Sequence, residues 1–193
     1  MLSHMSFLSS YFDSIRNTQF FVSNKVLYCA IPKNNTKYWM SIFQHRANLD
    51  GNVIVLPDTD YSFTVVRDPH DRLISAMKTF CKRTRSHLDW TEEQNLEWMM
   101  DEWEDIAKDK DILKGDQFIT HFMPQHLFIE AYDFDDIIPF TNQVQLLAKL
   151  GKYGIVTKMG LVRQPLLTSC DARIKSIVQE YYSQDLELWE SIA

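Results

Sequence analysis

Lys33, Asn34, Asn35, Thr36 and Lys37 place two ammonium groups, two amides and a hydroxyl in five consecutive positions. They follow the apolar run "VLYCAIP" at 26 to 32 and precede the aromatic "YWMSIF" at 38 to 43. This set can hold an anion: a strand–loop–helix turn aims several backbone N–H groups at one point, and the lysines neutralise charge. The glycines of a GxxxxGK[ST] loop are missing, so it is not a Walker-type turn. A lysine in a polar turn is, by itself, usually just solvated. A second set lies in "FTVVRDPHDRLISAM" at 63 to 77, where Arg67 follows an apolar run and Ser75 lies two helical turns into the next element. A guanidinium there can grip a phosphate bidentately, with the serine hydroxyl donating to the same group. The plainer alternative pairs Arg67 with Asp68 or Asp71 and leaves Arg72 and Ser75 facing solvent. It serves each residue singly, yet it does not explain two anion-ready loops after two strands.

Both loops need strands and helices to position them. "KVLYCAI" (25 to 31) is continuously apolar, as a parallel strand buried on both faces must be. Tyr38, Trp39, Ile42 and Phe43 fall at helical spacing within a helix expected over 37 to 48. "NVIVL" (52 to 56), "YSFTVV" (61 to 66) and "DDIIPF" (135 to 140) read as further strands. Asp68 is placed to cap a helix with Pro69 at its first position. Another helix is expected over 91 to 110, capped by Thr91, and a short one over 141 to 151, ending at Gly151. "DQFITHFMPQ" (116 to 125) reads as loop, and 168 to 193 as helical with a break near Ser183. Alternating strands and helices imply an α/β fold: three layers, with a mostly parallel central sheet and flanking helices. In such sheets the binding crevice lies beyond the carboxyl ends of the strands, where both loops fall.

At 193 residues the chain fits a single domain, 1–193, with an amphipathic N-terminal segment over about 1–22. A net charge of −6 argues against a nucleic-acid partner, which a basic face would serve. No apolar run is long enough to span a membrane, and residues 1 to 22 lack the pattern of a signal peptide, so a soluble cytoplasmic protein is expected. Cys29, Cys81 and Cys170 are widely spaced and odd in number, which indicates neither a disulfide framework nor a zinc site.

"IPKNNTKYW" followed by "FTVVRDPHDRLISA" resembles the paired signatures of the sulfotransferases, specifically their carbohydrate-type Golgi and bacterial branch. Two later stretches agree in order. "HFMPQ" (121 to 125) is similar to an H-x-x-P-Q element of that branch, and "IVQEYYSQDLELW" (177 to 189) to the family's closing I-x-x-x-Y-x-x-D-x-x-x-[FW]. The donor in that family is 3′-phosphoadenosine 5′-phosphosulfate (PAPS), released as adenosine 3′,5′-bisphosphate. The resemblance implies a P-loop-NTPase-like sulfotransferase fold. It also implies that Lys33, Asn34, Asn35, Thr36 and Lys37 cradle the 5′-phosphosulfate while Arg67 and Ser75 hold the 3′-phosphate. Asn35 departs from the small residue common at its position. The cysteines flanking H-x-x-P-Q in Golgi members, and their membrane anchor, are absent from this sequence.

The reaction so implied moves a sulfuryl group to an acceptor hydroxyl, with a carbohydrate as the expected acceptor. Lys33 would stabilise the leaving oxygen, and no metal is expected, because lysine and amides do what magnesium does in phosphoryl transfer. The acceptor needs a base, and His121, within the H-x-x-P-Q-like element, is the preferred candidate among the six histidines. Shaping the loop through Gln125 is the alternative role for His121. Asp89, Glu92 and Glu130 are acidic alternatives as base, while His70 would sooner meet the nucleotide. Lys78, Lys82, Arg83 and Arg85 can steer an anion or simply end a helix in solvent, and Arg163 can reach a nucleotide on charge alone. Trp90 can stack on a sugar, whereas Trp98 and Trp103 read as core, as do Tyr181, Tyr182 and Asp185. Two rival readings stand: a small-molecule or nucleoside kinase with a degenerate phosphate loop and Asp58 as its metal-holding acid, and a catalytically inactive nucleotide-binding relative.

Overall fold

The structure is a computed structural model that describes residues 20–43, 45–46, 49–50, 53–54, 58–84, 89–103, 121–130, 132–157 and 172–193. These fall into two compact units, one formed by 1–66, 125–162 and 192–193, the other by 67–124 and 163–191.

The first unit is a mixed five-stranded sheet. β1 (Phe20–Ser23) and β2 (Val26–Cys29) form an antiparallel hairpin in which Ser23 faces Val26. Asn24 and Lys25 make its two-residue turn, both at positive φ (48° and 60°), the conformation of a type I′ turn. After α1 (Thr36–Ile42), β3 (His45–Arg46) pairs antiparallel with β1. β4 (Leu49–Asp50) and β5 (Val53–Ile54) form a separate antiparallel pair. β6 (Tyr61–Val66) runs parallel to β2, and β7 (Asp136–Pro139), which follows the short helix α4 (His126–Ile129), runs parallel to β6. The order is β3-β1-β2-β6-β7. β2, β6 and β7 are therefore parallel neighbours, with β7 at one end of that order and the antiparallel β1 and β3 at the other. β7 passes through a 3₁₀ turn into α5 (Gln143–Gly151).

Aromatic packing fixes α1 on the sheet. Tyr28 and Phe63, neighbours on adjacent strands, stack at 5.1 Å, and Trp39 of α1 and Phe43 just after it meet Phe63 edge-on at 5.5 and 5.6 Å. Leu146 and Leu150 of α5 join the same core. Each aromatic pair adds about 0.5–1.5 kcal/mol beyond the area it buries. Leu27, Cys29, Thr64 and Val66, which alternate with these residues, are buried as well, as expected for parallel strands.

Three expectations are corrected here. The helix expected over 37 to 48 ends at Ile42, because Phe43 leaves helical geometry and His45–Arg46 finds a sheet edge instead. Val53–Ile54 lies outside the main sheet, since a short apolar run carries no information about its partner. Phe20–Val22 belongs to a strand rather than to the N-terminal segment, whose residues 1–19 lie outside the described ones.

Asp136 ties the near end of the sheet. Its Oδ2 accepts from the Tyr61 hydroxyl at 2.6 Å and from Lys149 Nζ, which also sits over the Tyr61 ring. Burial alone would raise the carboxyl, but the bonds from Lys149 and Tyr61 outweigh it and hold the group below the ordinary aspartate range. A depressed folded pKa contributes stability above the unfolded value, about 3.9, and loses it as pH falls through the folded value. The urea midpoint should therefore drop between about pH 5 and pH 2, and Asp136→Asn should flatten that slope.

In the second unit α2 (Pro69–Thr84), α3 (Glu92–Asp101), α6 (Ala172–Tyr181) and α7 (Ser183–Ile192) surround Leu73, Met77, Met99, Trp103, Ile174 and Val178. Asp68 Oδ1 accepts from the N–H groups of His70 and Asp71, so it caps α2 with Pro69 at the first helical position. Thr91 and Gln94 form a reciprocal capping box at α3. The extension of that helix over 104–110, the loop over 116–120 and the stretch 168–171 lie outside the described residues.

Candidate functional site

β2 delivers the chain into a tight turn. Asn34 N–H donates to Ile31 O at 3.2 Å, closing a four-residue turn with Pro32 and Lys33 at its centre. Lys33 has φ 74°. A proline second and a positive φ third are the marks of a type II turn, whose third position belongs by rule to glycine. Two residues on, Asn35 is left-handed too (φ 62°, ψ 25°). The loop thus makes two left-handed bends without glycine, on side-chain-bearing residues. For lysine that costs about 1–2 kcal/mol.

The neighbouring side chains hold this conformation. Asn34 is fully buried, and its Nδ2 donates to Val65 O and to Gln125 Oε1, each at 2.7 Å. These two bonds fix the Asn34 side chain, and with it the carboxyl side of the turn. Its Oδ1 takes no hydrogen bond. Asn35 Nδ2 donates to Gln143 Oε1 at 3.1 Å, and Gln143 in turn donates to Phe140 O. The Thr36 hydroxyl donates to Ile31 O at 2.6 Å, so toward a ligand it offers lone pairs rather than a proton. Lys33 is half-buried and Lys37 exposed. Because α1 has only seven residues, charge here rests on the lysines and loop amides more than on a helix dipole.

The arginine loop lies in the second unit. Arg67 is 8% exposed, and its Nη2 lies 3.6 Å from Asp71 Oδ2. Burial lowers its pKa, while Asp71 and Asp68 act in the opposite sense. Asp68 Oδ1 also meets His70 Nδ1 at 3.1 Å. Ser75 is half-buried, and its carbonyl accepts from the Thr79 hydroxyl. Arg72 is not the solvent-facing residue of the plainer alternative: it is 2% exposed. Burial lowers the pKa of its guanidinium, and the buried Asp185 carboxylate attracts it. Tyr182, beside them, donates from its hydroxyl to Phe122 O at 2.7 Å.

The stretch 121 to 125 is held at two points. Phe122 O takes the Tyr182 hydroxyl in the second unit, and Gln125 takes the Asn34 amide in the first. His121, half-buried and helical, heads the stretch. Lys33 to Lys37 belong to the first unit; Arg67, Ser75 and His121 belong to the second.

Other candidates are placed as follows. Lys78 and Lys82 both face Glu92. The hydrogen bond from Lys78 keeps the Glu92 carboxyl below its ordinary range, which disfavours it as a base. Asp89 and Glu130 are exposed, as are Asp58 and Trp90. Trp103, Tyr182 and Asp185 are buried, in keeping with a packing role, and Trp98 packs partly buried against the same core. Tyr181 is partly exposed, with its ring edge-on to Trp103. Cys29 and Cys81 are not in disulfides. The side chain of Arg83, together with Arg85, His4, His87, Arg163 and Cys170, lies outside the described residues, and so does the side chain of His45. Among the described residues no helix is long and apolar enough to cross a membrane.

What sequence reasoning missed is Asn34 as a structural anchor. Its neighbours are polar and its position is a loop, so nothing local signals complete burial. No protein-family model, no curated protein and no solved structure matches this chain.

Proposed function

We propose that the chain is a PAPS-dependent sulfotransferase with the three-layer, P-loop-like arrangement of that family, acting on an acceptor hydroxyl, with a sugar as the preferred class. The observation that carries the reading is the left-handed Lys33 in a glycine-free turn at the carboxyl end of a parallel strand. Backbone strain at a cation-bearing residue persists where the surroundings over-determine it, and such residues cluster at ligand clamps. The RDP-x-x-R-x-x-S segment after the adjacent parallel strand supplies the second anchor.

In the proposed reaction the acceptor oxygen attacks sulfur in line with the bond to the 5′-phosphate. The sulfur–oxygen bond breaks and its electron pair stays on the phosphate oxygen. Lys33 stabilises or protonates that oxygen, with the loop amides and Lys37 sharing the charge. His121 takes the acceptor proton. Arg67 and Ser75 hold the 3′-phosphate, far from the chemistry but fixing the donor's position. Thr36 and Asn35 shape the cradle, and Asn34 anchors it.

The test is incubation with radiolabelled PAPS and a panel of sugars and phenols in the presence of EDTA. Label should move to a hydroxyl acceptor without added metal. No transfer, together with phosphorylation from Mg-ATP in a parallel incubation without EDTA, would instead establish the kinase.

A further inference from the structure

We infer that Asn34 and Gln125 form a buried positioning pair that sets the direction of Lys33, a role that rests on the sulfotransferase reading above. Three observations support it. Asn34 follows Lys33 directly, and its own N–H closes the turn, so fixing Asn34 fixes the backbone on the carboxyl side of Lys33. Both hydrogens of its side-chain amide are engaged, one on Val65 O and one on Gln125 Oε1, each at 2.7 Å. Both amide side chains are fully buried. The turn therefore cannot swing without breaking two bonds where water does not replace them.

Packing alone does not call for an amide here. The Oδ1 of Asn34 is buried with no hydrogen bond, an arrangement that weakens a fold. An apolar residue of similar size would remove that orphan while taking the Asn34 donor away from Val65 O and Gln125 Oε1. What only the amide supplies is a two-way tie from the turn to the end of β6 and to Gln125 of the H-x-x-P-Q-like stretch. A lysine that must meet one oxygen in the transition state benefits from such a tie, because small misplacements cost rate more than affinity.

The test compares Gln125→Met, which removes the acceptor at similar volume, with Gln125→Glu, which keeps it, and with Leu146→Val, which loosens the same unit elsewhere. Release of adenosine 3′,5′-bisphosphate from PAPS with water as acceptor gives kcat and KM, and melting gives stability. Gln125→Met should lower kcat by roughly ten- to a hundredfold with KM within about threefold. Gln125→Glu should recover most of that loss, and Leu146→Val should leave kcat unchanged. Asn34→Ala, which removes the donor side of the same bond, should repeat the loss if Gln125→Met does not fold. Unchanged kcat in the folded variant, or an equal fall in Leu146→Val, overturns the positioning role and leaves the sulfotransferase reading standing. A wild type that neither binds the bisphosphate nor turns over PAPS overturns both.

Discussion

Lys33→Gly should leave the fold at least as stable as the wild type while sulfuryl transfer falls by roughly a thousandfold. The two effects separate because the backbone and the ammonium of Lys33 work against each other. Its left-handed φ of 74° costs about 1–2 kcal/mol with a Cβ present, and glycine removes that cost. The extra freedom of glycine in the unfolded chain returns about 0.5–1 kcal/mol of it. The net change is near zero to slightly stabilising, so melting should hold or rise by a few degrees. Lys33→Ala keeps the Cβ and hence the strain, and should lose the same activity without that rise. Turnover and melting of the two variants side by side check this. Activity within about tenfold of wild type in both would remove Lys33 from the chemistry, and a large drop in stability for the glycine variant would contradict the strain.

The second large effect concerns stability. Arg72 and Asp185 lie buried in the second unit, with the carboxylate attracting the guanidinium. Removing one partner of such a pair leaves an uncompensated charge out of water, at a cost of about 3–5 kcal/mol. Arg72→Met and Asp185→Leu should each cost that much in a urea titration. The double variant should recover most of the loss, because two apolar side chains of similar size need no partner. Additive losses would mean that the two charges do not depend on each other.

The elements carrying strong periodicity were legible. β2 is a continuous apolar run, β6 sets Tyr61, Phe63 and Val65 between Ser62, Thr64 and Val66, and the α2 cap is written in Asp68–Pro69. The β1–β2 hairpin was not, because its turn is Asn24–Lys25, where the local signal expects glycine at the second position. The end of α1 at Ile42 was set by a strand edge that local sequence does not contain. At the candidate site, types and spacing singled out Lys33 and Arg67, and the family resemblance singled out His121. They did not separate residues that would touch a ligand from those that hold the loop. Asn34 looks like a ligand residue and is a buried anchor; Arg72 looks like a surface arginine and is core. Burial of polar groups depends on contacts between distant segments, such as Asn34 with Gln125, and leaves no local pattern.

The most direct measurement is calorimetric titration with adenosine 3′,5′-bisphosphate, with AMP and Mg-ATP as controls and Arg67→Ala as the variant. A donor site needs both phosphates held, so the bisphosphate should bind at least about tenfold more tightly than AMP, a difference of about 1.4 kcal/mol. Arg67→Ala should erase that preference, because the guanidinium is the group assigned to the 3′-phosphate. Equal or absent binding of the bisphosphate, or preferential binding of Mg-ATP, would contradict the sulfotransferase account.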